Sequence, residues 1–189
     1  MRITAATPQD TELVVAFYNF MIEATDGQPS SPRWEKDVHP TRDELRESIG
    51  NGQLLIAVQG DSSPTADGGE NPIMAAMRLA REPYDTPYAT WKNNVPEDQV
   101  CTITLLAVHP SHQRKGIGRK LVRVAQMQAM EWGCKSIRLD TIDGNVDAAR
   151  LYRSLGFTQC GRGPLHPATI GDTPFDIFEY AFPIITLDD

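Results

Sequence analysis

The sequence of 189 residues lacks any run of 18 consecutive apolar residues, the length that a membrane-spanning helix requires. Residues 1–10 contain a single basic residue and no apolar run, so no secretory leader is predicted there. From both absences we expect a cytoplasmic protein that makes no use of a membrane.

Cysteine is scarce, and the three that occur, Cys101, Cys134 and Cys160, have no CxxC or metal-ligand spacing. An odd number in this pattern favours neither a disulfide framework nor a zinc site. We therefore expect reduced core thiols and no bound metal.

Positive charge is also in short supply, with 18 Lys and Arg residues against 25 Asp and Glu and a net charge of −7. This balance argues against a general nucleic-acid or anionic-membrane binder and mildly favours cationic substrates such as amines. A hydrophobic content of 40% in a chain of this length suits one substantial core. The prediction is a single domain over residues 1–189.

The segment around which the rest is organised combines an apolar strand, a basic turn and an amphipathic helix. Residues 104–108 are apolar after the first and predict a mostly buried strand, which Pro110 ends. Apolar residues then recur at spacings of three and four, which predicts a helix with one buried face. They are Leu121, Val122, Ala125, Ala129 and Trp132.

The turn between this strand and helix is a candidate anion site. Gly116 and Gly118 allow a close backbone approach, and the helix start offers unpaired N–H groups at the positive end of the helix dipole. Five basic residues lie within ten positions: Arg114, Lys115, Arg119, Lys120 and Arg123. Removing these five from 18 leaves 13 basic against 25 acidic residues, a net charge of −12 elsewhere.

Two nucleotide-binding patterns do not fit this turn. The dinucleotide fingerprint requires a third glycine where Leu121 stands, and the order of residues in the P-loop is absent. Two glycines and several basic residues at a helix start also occur without any phosphate ligand, so a second motif is needed to decide.

Two motifs together resemble those of the GNAT superfamily of N-acetyltransferases. The first is Gln113, x, x, Gly116, x, Gly118, after an apolar strand that ends Leu106, Ala107, Val108, x, Pro110. The second is Asn145, x, x, Ala148, x, x, Leu151, Tyr152, x, x, Leu155, Gly156, Phe157. With the strands between and around them, the two motifs cover about 60 residues, and their conjunction is far more specific than either alone.

The order of predicted elements agrees with this resemblance: one strand, two helices, three strands, a helix, a strand, a helix and two strands. Such an order is typical of an α/β (α+β) fold with a mixed sheet. The resemblance implies a mostly antiparallel sheet of about seven strands flanked by about four helices and splayed at the acetyl-CoA site. Residues 60–71 are predicted to form an exposed turn.

The resemblance also implies which residues bind acetyl-CoA as cosubstrate. The pantetheine arm would pair with the backbone of Leu106, Ala107 and Val108. The diphosphate would rest on the N–H groups of a loop that follows Gln113, formed by Arg114, Lys115, Gly116, Ile117, Gly118 and Arg119.

Asn145 and Tyr152 are seven residues apart, so they lie on nearly the same face of a helix and are able to contact one ligand. By resemblance, Asn145 contacts the CoA arm and Tyr152 is the general acid that protonates the thiolate. Their ordinary alternatives are a helix N-cap and a packed aromatic residue.

The general base is less clearly marked. Asp140, at the end of the strand before Asn145, is the candidate, since some family members carry an acidic base there. The alternatives are an ordinary polar residue at that position, or a water held by Thr102 or Thr104. Several relatives have a carboxylate where this chain has threonine.

Residues 81–99 contain three prolines among Tyr84, Tyr88 and Trp91, which excludes regular structure but supplies aromatic surface. The segment is either a substrate lid or an aromatic cover on the sheet.

The predicted function is direct transfer of an acetyl group from acetyl-CoA to a primary amine of a small molecule or peptide. Two alternatives stay open: a non-catalytic acyl-CoA sensor on the same fold, and a transferase of a longer acyl group. Loss of Tyr152 would favour the sensor, and Tyr152 is present. The partners expected are acetyl-CoA and the amine, and family members often pair as a homodimer.

Overall fold

The strands and helices follow one another in the predicted order in the computed structural model, which describes residues 1–28, 31–60, 71–165 and 171–183. The strands are β1 (Arg2–Ala5), β2 (Leu54–Val58), β3 (Ile73–Ala80), β4 (Val100–Val108), β5 (Ser136–Ile142), β6 (Thr158–Pro164) and β7 (Pro174–Ala181). The helices are α1 (Thr11–Thr25), α2 (Arg42–Gly50), α3 (Ile117–Glu131) and α4 (Val146–Arg153). Most of the predicted turn at 60–71 lies outside the described residues. In the described part of the chain, no helix is long and apolar enough to cross a membrane.

The seven strands form one mixed sheet in the order β1-β2-β3-β4-β5-β7-β6. Neighbouring strands β1 and β2, β2 and β3, β5 and β7, and β7 and β6 are antiparallel, whereas β4 and β5 are parallel. The predicted mixed, mostly antiparallel sheet with four helices is confirmed. Strand β4 begins at Val100, four residues before the predicted start. The predicted strand is shorter because Thr102 is polar and interrupts the apolar pattern, although its side chain is buried.

The residues cluster into two compact units, and the first comprises Met1–Leu79 and Thr104–Val122. Its core is formed by one face of α1 and α2 together with β2. Helix α2 begins with the reciprocal hydrogen bonds of a capping box. Thr41 N–H donates to Glu44 at 2.7 Å and Glu44 N–H donates to the Thr41 hydroxyl at 3.2 Å.

Helix α1 places Tyr18, and not the nearby Phe20, in the core. Phe20 is 42% exposed, and its ring stacks on His109 at 4.5 Å between centroids. Tyr18 fills the core instead at 1% exposure. A spacing of three and four residues allows either Tyr18 or Phe20 at the edge of the apolar face of α1. Tyr18 is the buried one, and its hydroxyl donates to the buried Leu105 carbonyl.

The second unit comprises Ala80–Ile103 and Arg123–Asp189. In its β5–β7 ladder Arg138 is opposite Glu179, whose side chain has no exposed surface. One oxygen of Glu179 accepts from the Ser136 hydroxyl at 2.6 Å and from Arg138 Nε at 3.2 Å. The other accepts from the backbone N–H groups of Lys92 and Asn93 at 2.7 and 3.2 Å. The carboxylate therefore binds residues 84–93, here called the strap, to the sheet.

The strap also crosses β6. Thr90 N–H donates to the Cys160 carbonyl at 2.9 Å, and Ala89 forms an isolated bridge with Gly161. A Cβ on Gly161 would overlap the backbone of Tyr88, and one on Gly163 would overlap its ring. The two glycines are thus required by the close approach of the strap.

The prediction for the cysteines is wrong for one pair. Cys101 and Cys134 form a disulfide with their Cα atoms 6.4 Å apart, within the range that a disulfide spans. Cys160 is a free thiol, as expected. The disulfide joins the start of β4 to the segment before β5. A separation of 33 residues in the sequence does not indicate that these two segments meet.

Replacing Glu179 by Ala would leave the buried Arg138 guanidinium without its counter-ion. We expect the free energy of unfolding in urea to fall by about 3–5 kcal/mol. Glu97→Ala, at an exposed position, is the matched control and should change it by less than about 0.5 kcal/mol. Equal effects of the two substitutions would contradict the proposed importance of the buried pair.

Candidate active site

The backbone of β4 is irregular just before Leu106. Leu105 has φ +57°, a left-handed conformation that is strained for a bulky side chain. The Tyr18 hydroxyl donates to the Leu105 carbonyl at 2.8 Å, and burial raises the pKa of Tyr18 so that it remains a donor. A buried phenol thus holds the irregular backbone at the position where the sequence predicts that the sheet splays.

The three residues predicted to meet the pantetheine arm follow at once. Ala107 is buried, whereas Leu106 and Val108 are half-buried on the opposite face of β4. The Val108 carbonyl accepts from the Gln113 side-chain amide at 3.2 Å, so Gln113 ties the loop back to the end of the strand.

The loop before α3 has the backbone geometry of an anion site. Arg114 and Gly116 both have left-handed φ values, +60° and +77°. No atom lies within 4 Å of a Cβ added to Gly116, so glycine is favoured there by conformation and not by space. Lys120 N–H donates to the Gly116 carbonyl at 3.1 Å as the helix begins, and the amides before it have no helical carbonyl to bind.

Charge favours the same ligand. Gln113, Arg114, Lys115 and Gly116 are exposed, and the Lys115 ammonium folds back onto the Ser111 carbonyl at 2.8 Å. Backbone amides, the helix dipole and basic side chains are the features that bind a phosphate. The loop therefore fits the diphosphate that the sequence predicts for it.

The second unit holds the other candidates. Asp140 is half-buried on β5, and the Tyr84 hydroxyl donates to its Oδ2 at 2.8 Å. Burial, together with the charge and the hydrogen bond of Asp140, raises the pKa of Tyr84, so the phenol stays protonated as the donor. No local pattern in the sequence marks this pair, because the two residues are 56 positions apart and Tyr84 lies in a proline-containing segment without a motif.

Arg138 holds the strap beside Asp140. Its Nη1 donates to the Tyr84 carbonyl at 2.8 Å and its Nη2 to the Asn93 carbonyl at 3.1 Å. The guanidinium also lies 4.0 Å from the centroid of the Trp91 ring. With Glu179, these contacts make the aromatic segment a cover on the sheet, the second of the two predicted alternatives.

Tyr152 on α4 is 5% exposed, and its ring packs against Phe157 and Phe178 at 5.6 and 5.9 Å between centroids. Burial, followed by the charge of Asp140, raises the pKa of Tyr152. The phenol is therefore protonated at neutral pH, and it feels the field of the candidate base.

Asn145 performs the alternative role considered for it. It is the N-cap of α4, where its Oδ1 accepts from Ala148 N–H at 3.2 Å. Thr102, considered as a water-holding residue, donates its hydroxyl to Glu82 at 2.6 Å. Neither contact involves Asp140 or Tyr152.

Comparison with known proteins identifies the family. Residues 29–157 match the Acetyltransferase (GNAT) family. Over 150 residues the chain is 38% identical to streptothricin acetyltransferase of Streptomyces lavendulae, covering 74% of this chain and 76% of that protein. It is 35% identical to thialysine N-epsilon-acetyltransferase of Bos taurus over 75 residues, 39% of this chain and 40% of that protein.

The fold matches that of solved acetyltransferases. One is yncA, a putative acetyltransferase from Salmonella typhimurium with its cofactor acetyl-CoA, at a TM-score of 0.68 over 100% of this chain and 98% of that chain. Another is ribosomal-protein-alanine N-acetyltransferase from Brucella melitensis, at 0.67 over 96% and 100%. The sequence identities are 18% and 17%, so these matches establish the fold alone.

The protein is thus an acyltransferase by class, with the fold and the loop that the sequence predicts. The chain belongs to the GNAT family, as the match over more than half of its length shows. The predicted enzyme class, an acetyl-CoA-dependent N-acetyltransferase, is confirmed by the family match and the 38% identical relative.

The raised pKa values lead to a prediction for tyrosine titration. Tyr18, Tyr84 and Tyr152 should remain protonated up to about pH 11, where an ordinary phenol of pKa about 10 is largely ionised. Tyr152→Phe should therefore leave the rise in phenolate absorbance at 295 nm up to that pH unchanged, with circular dichroism verifying the fold. A loss of amplitude equal to one tyrosine would contradict the burial of Tyr152.

Proposed function

We propose that this protein transfers an acetyl group directly from acetyl-CoA to a primary amine of a small molecule or peptide, as a single catalytic domain of residues 1–189. The observation that carries the proposal is the loop before α3, where left-handed Arg114 and Gly116 leave a row of backbone amides at the positive end of the helix. Membership of the GNAT family supports the same reading.

We assign the diphosphate to the amides from Arg114 to Arg119 and the pantetheine arm to the backbone of Leu106, Ala107 and Val108. Asn145 is assigned to the CoA arm through its side-chain amide, since its carbonyl oxygen is engaged in capping α4. When bound, acetyl-CoA supplies an activated acetyl group as a thioester. These roles remain proposals that the loop geometry and the position of the irregular Leu105 support.

The chemistry requires a base and an acid. An alkylamine of pKa about 10.4 is mostly protonated at pH 7, so a base must remove a proton before the nitrogen lone pair attacks the thioester carbon. We assign this role to Asp140. As the C–N bond forms and the C–S bond breaks, the electron pair leaves on sulfur and Tyr152 donates a proton to the thiolate. The new amide nitrogen loses its second proton, which returns through solvent to the Tyr152 phenolate, and Asp140 releases the proton it first accepted. Burial, followed by the charge of Asp140, raises the pKa of Tyr152, and a phenol that is protonated at neutral pH supports this role as the acid.

The name of the 38% identical relative makes streptothricin the first acceptor to test. The experiment measures CoA release with a thiol reagent, using acetyl-CoA and a panel of streptothricin, aminoglycosides, polyamines, amino acids and peptides. Acetylated amine detected by mass spectrometry would support the transferase. Binding of acetyl-CoA with no release of CoA for any amine would favour the acyl-CoA sensor, and release only with longer acyl-CoA thioesters would favour the third alternative.

Tyr152→Phe should lower kcat by at least about 100-fold, because loss of a general acid typically costs 10²–10⁴-fold. The dissociation constant of acetyl-CoA, measured by calorimetry, should stay within about twofold. Tyr180→Phe, on β7, is a matched control for removal of a phenol. An unchanged kcat in Tyr152→Phe would remove this residue as the acid.

The loop assignment is tested by a bulky side chain at Gly118, the second residue of α3. Gly118→Leu should weaken acetyl-CoA binding by more than about 100-fold, because it blocks the close approach of a phosphate to the backbone. Gly50→Leu, at a helical glycine with open space around it, is the control. Both variants should keep the far-ultraviolet circular dichroism of the wild type, and normal acetyl-CoA binding by Gly118→Leu would contradict the assignment.

A further inference from the structure

A phenol and a carboxylate form a directed pair in the second unit. The Tyr84 hydroxyl donates to Asp140 Oδ2 at 2.8 Å, and both side chains are half-buried. A hydrogen bond to an ionised acceptor is stronger and more directional than one between neutral groups. The pair therefore restricts the rotation of the Asp140 carboxylate about its Cβ–Cγ bond.

The backbone that carries Tyr84 is fixed as well. Its carbonyl accepts from Arg138 Nη1 at 2.8 Å, and the same guanidinium is paired with the fully buried Glu179. The Tyr84 ring meets Trp91 edge-on at 5.8 Å between centroids, and the Trp91 indole N–H donates to Asp85 at 3.0 Å. The phenol is thus held from its main chain, from its ring and from its hydroxyl.

Arg138 and Asp140 are two residues apart on β5, so their side chains lie on the same face of the sheet. The three N–H directions of Arg138 described above point to Glu179, Tyr84 and Asn93. The strap is therefore the element that brings a hydroxyl donor to Asp140 on that face. A base that abstracts a proton from an amine must present its oxygen within hydrogen-bond reach of the nitrogen, so its orientation controls the rate.

We propose that Tyr84 is a positioning residue for the amine acceptor: its hydroxyl holds the Asp140 carboxylate in the orientation that receives a cationic primary amine. The inference rests on the proposed function, in which Asp140 is the base. Tyr84 does not act on the acetyl donor in this arrangement. Its loss is therefore felt in the use of the amine and not in the binding of acetyl-CoA.

The test uses Tyr84→Phe in the full chain, with the amine that the wild type acetylates best. We expect kcat/KM for the amine to fall by about 10- to 100-fold, the size of a charge-assisted hydrogen bond. The acetyl-CoA dissociation constant should stay within about twofold and the thermal midpoint within about 3 °C. Tyr88→Phe, a strap tyrosine that is 43% exposed, is the matched control and should behave like the wild type.

A double-mutant cycle separates positioning from a structural contribution. In an Asp140→Ala background the acceptor oxygen of the pair is gone, so adding Tyr84→Phe should change kcat/KM by less than about twofold. The measurements are made near pH 10, where the unprotonated amine is abundant, so that the low activity of the Asp140→Ala variants is measurable. The same loss in both backgrounds would overturn the proposal, because Tyr84 would then act independently of Asp140.

The other outcomes are equally decisive. If the wild type acetylates an amine and Tyr84→Phe does so at the same kcat/KM, the positioning role is wrong while the proposed function stands. If the variant loses acetyl-CoA binding in proportion to activity, its effect is structural and the proposal also fails. A wild type that acetylates none of the amines overturns the proposed function and this inference together.

Discussion

The carboxylate of Glu179 imposes the constraint on which the second unit depends. Its side chain has no exposed surface, and an ionised carboxyl group without partners in that position would cost several kcal/mol. Its four donors come from two different places, β5 and the strap. If the strap left the sheet, the buried carboxylate would lose two of its four hydrogen-bond donors. The irregular strap therefore has a fixed course across β5, β6 and β7.

That course explains features that look unrelated in the sequence. Gly161 and Gly163 have no side chain because the main chain and ring of Tyr88 pass directly over β6. Arg138, a charged residue within strand β5, is the donor that joins Tyr84, Asn93 and Glu179. The result is that the Tyr84 hydroxyl meets Asp140. A mobile lid would have few such contacts, whereas this segment has partly buried hydrogen bonds at Tyr84, Lys92 and Asn93.

The parts that the sequence predicts well are those coded over short distances. The apolar stripe of α3 depends on side chains spaced three and four residues apart. The loop before α3 belongs to the same class, since its glycines and basic residues are contiguous. In contrast, the Tyr84–Asp140 bond and the Cys101–Cys134 disulfide join residues 56 and 33 positions apart. No local pattern marks such pairs, and the choice of Tyr18 over Phe20 for the core likewise depends on a distant carbonyl, that of Leu105.

This difference in range bears on how the enzyme's two substrates are recognised. The proposed diphosphate site consists of main-chain amides, which any sequence with the right turn presents. Such a loop is therefore predictable from a short stretch of sequence. The orientation of Asp140 depends instead on the strap, whose position is set by Glu179, Arg138 and the glycines of β6. In the proposed mechanism, substitutions in the strap therefore alter the surroundings of Asp140, the proposed base.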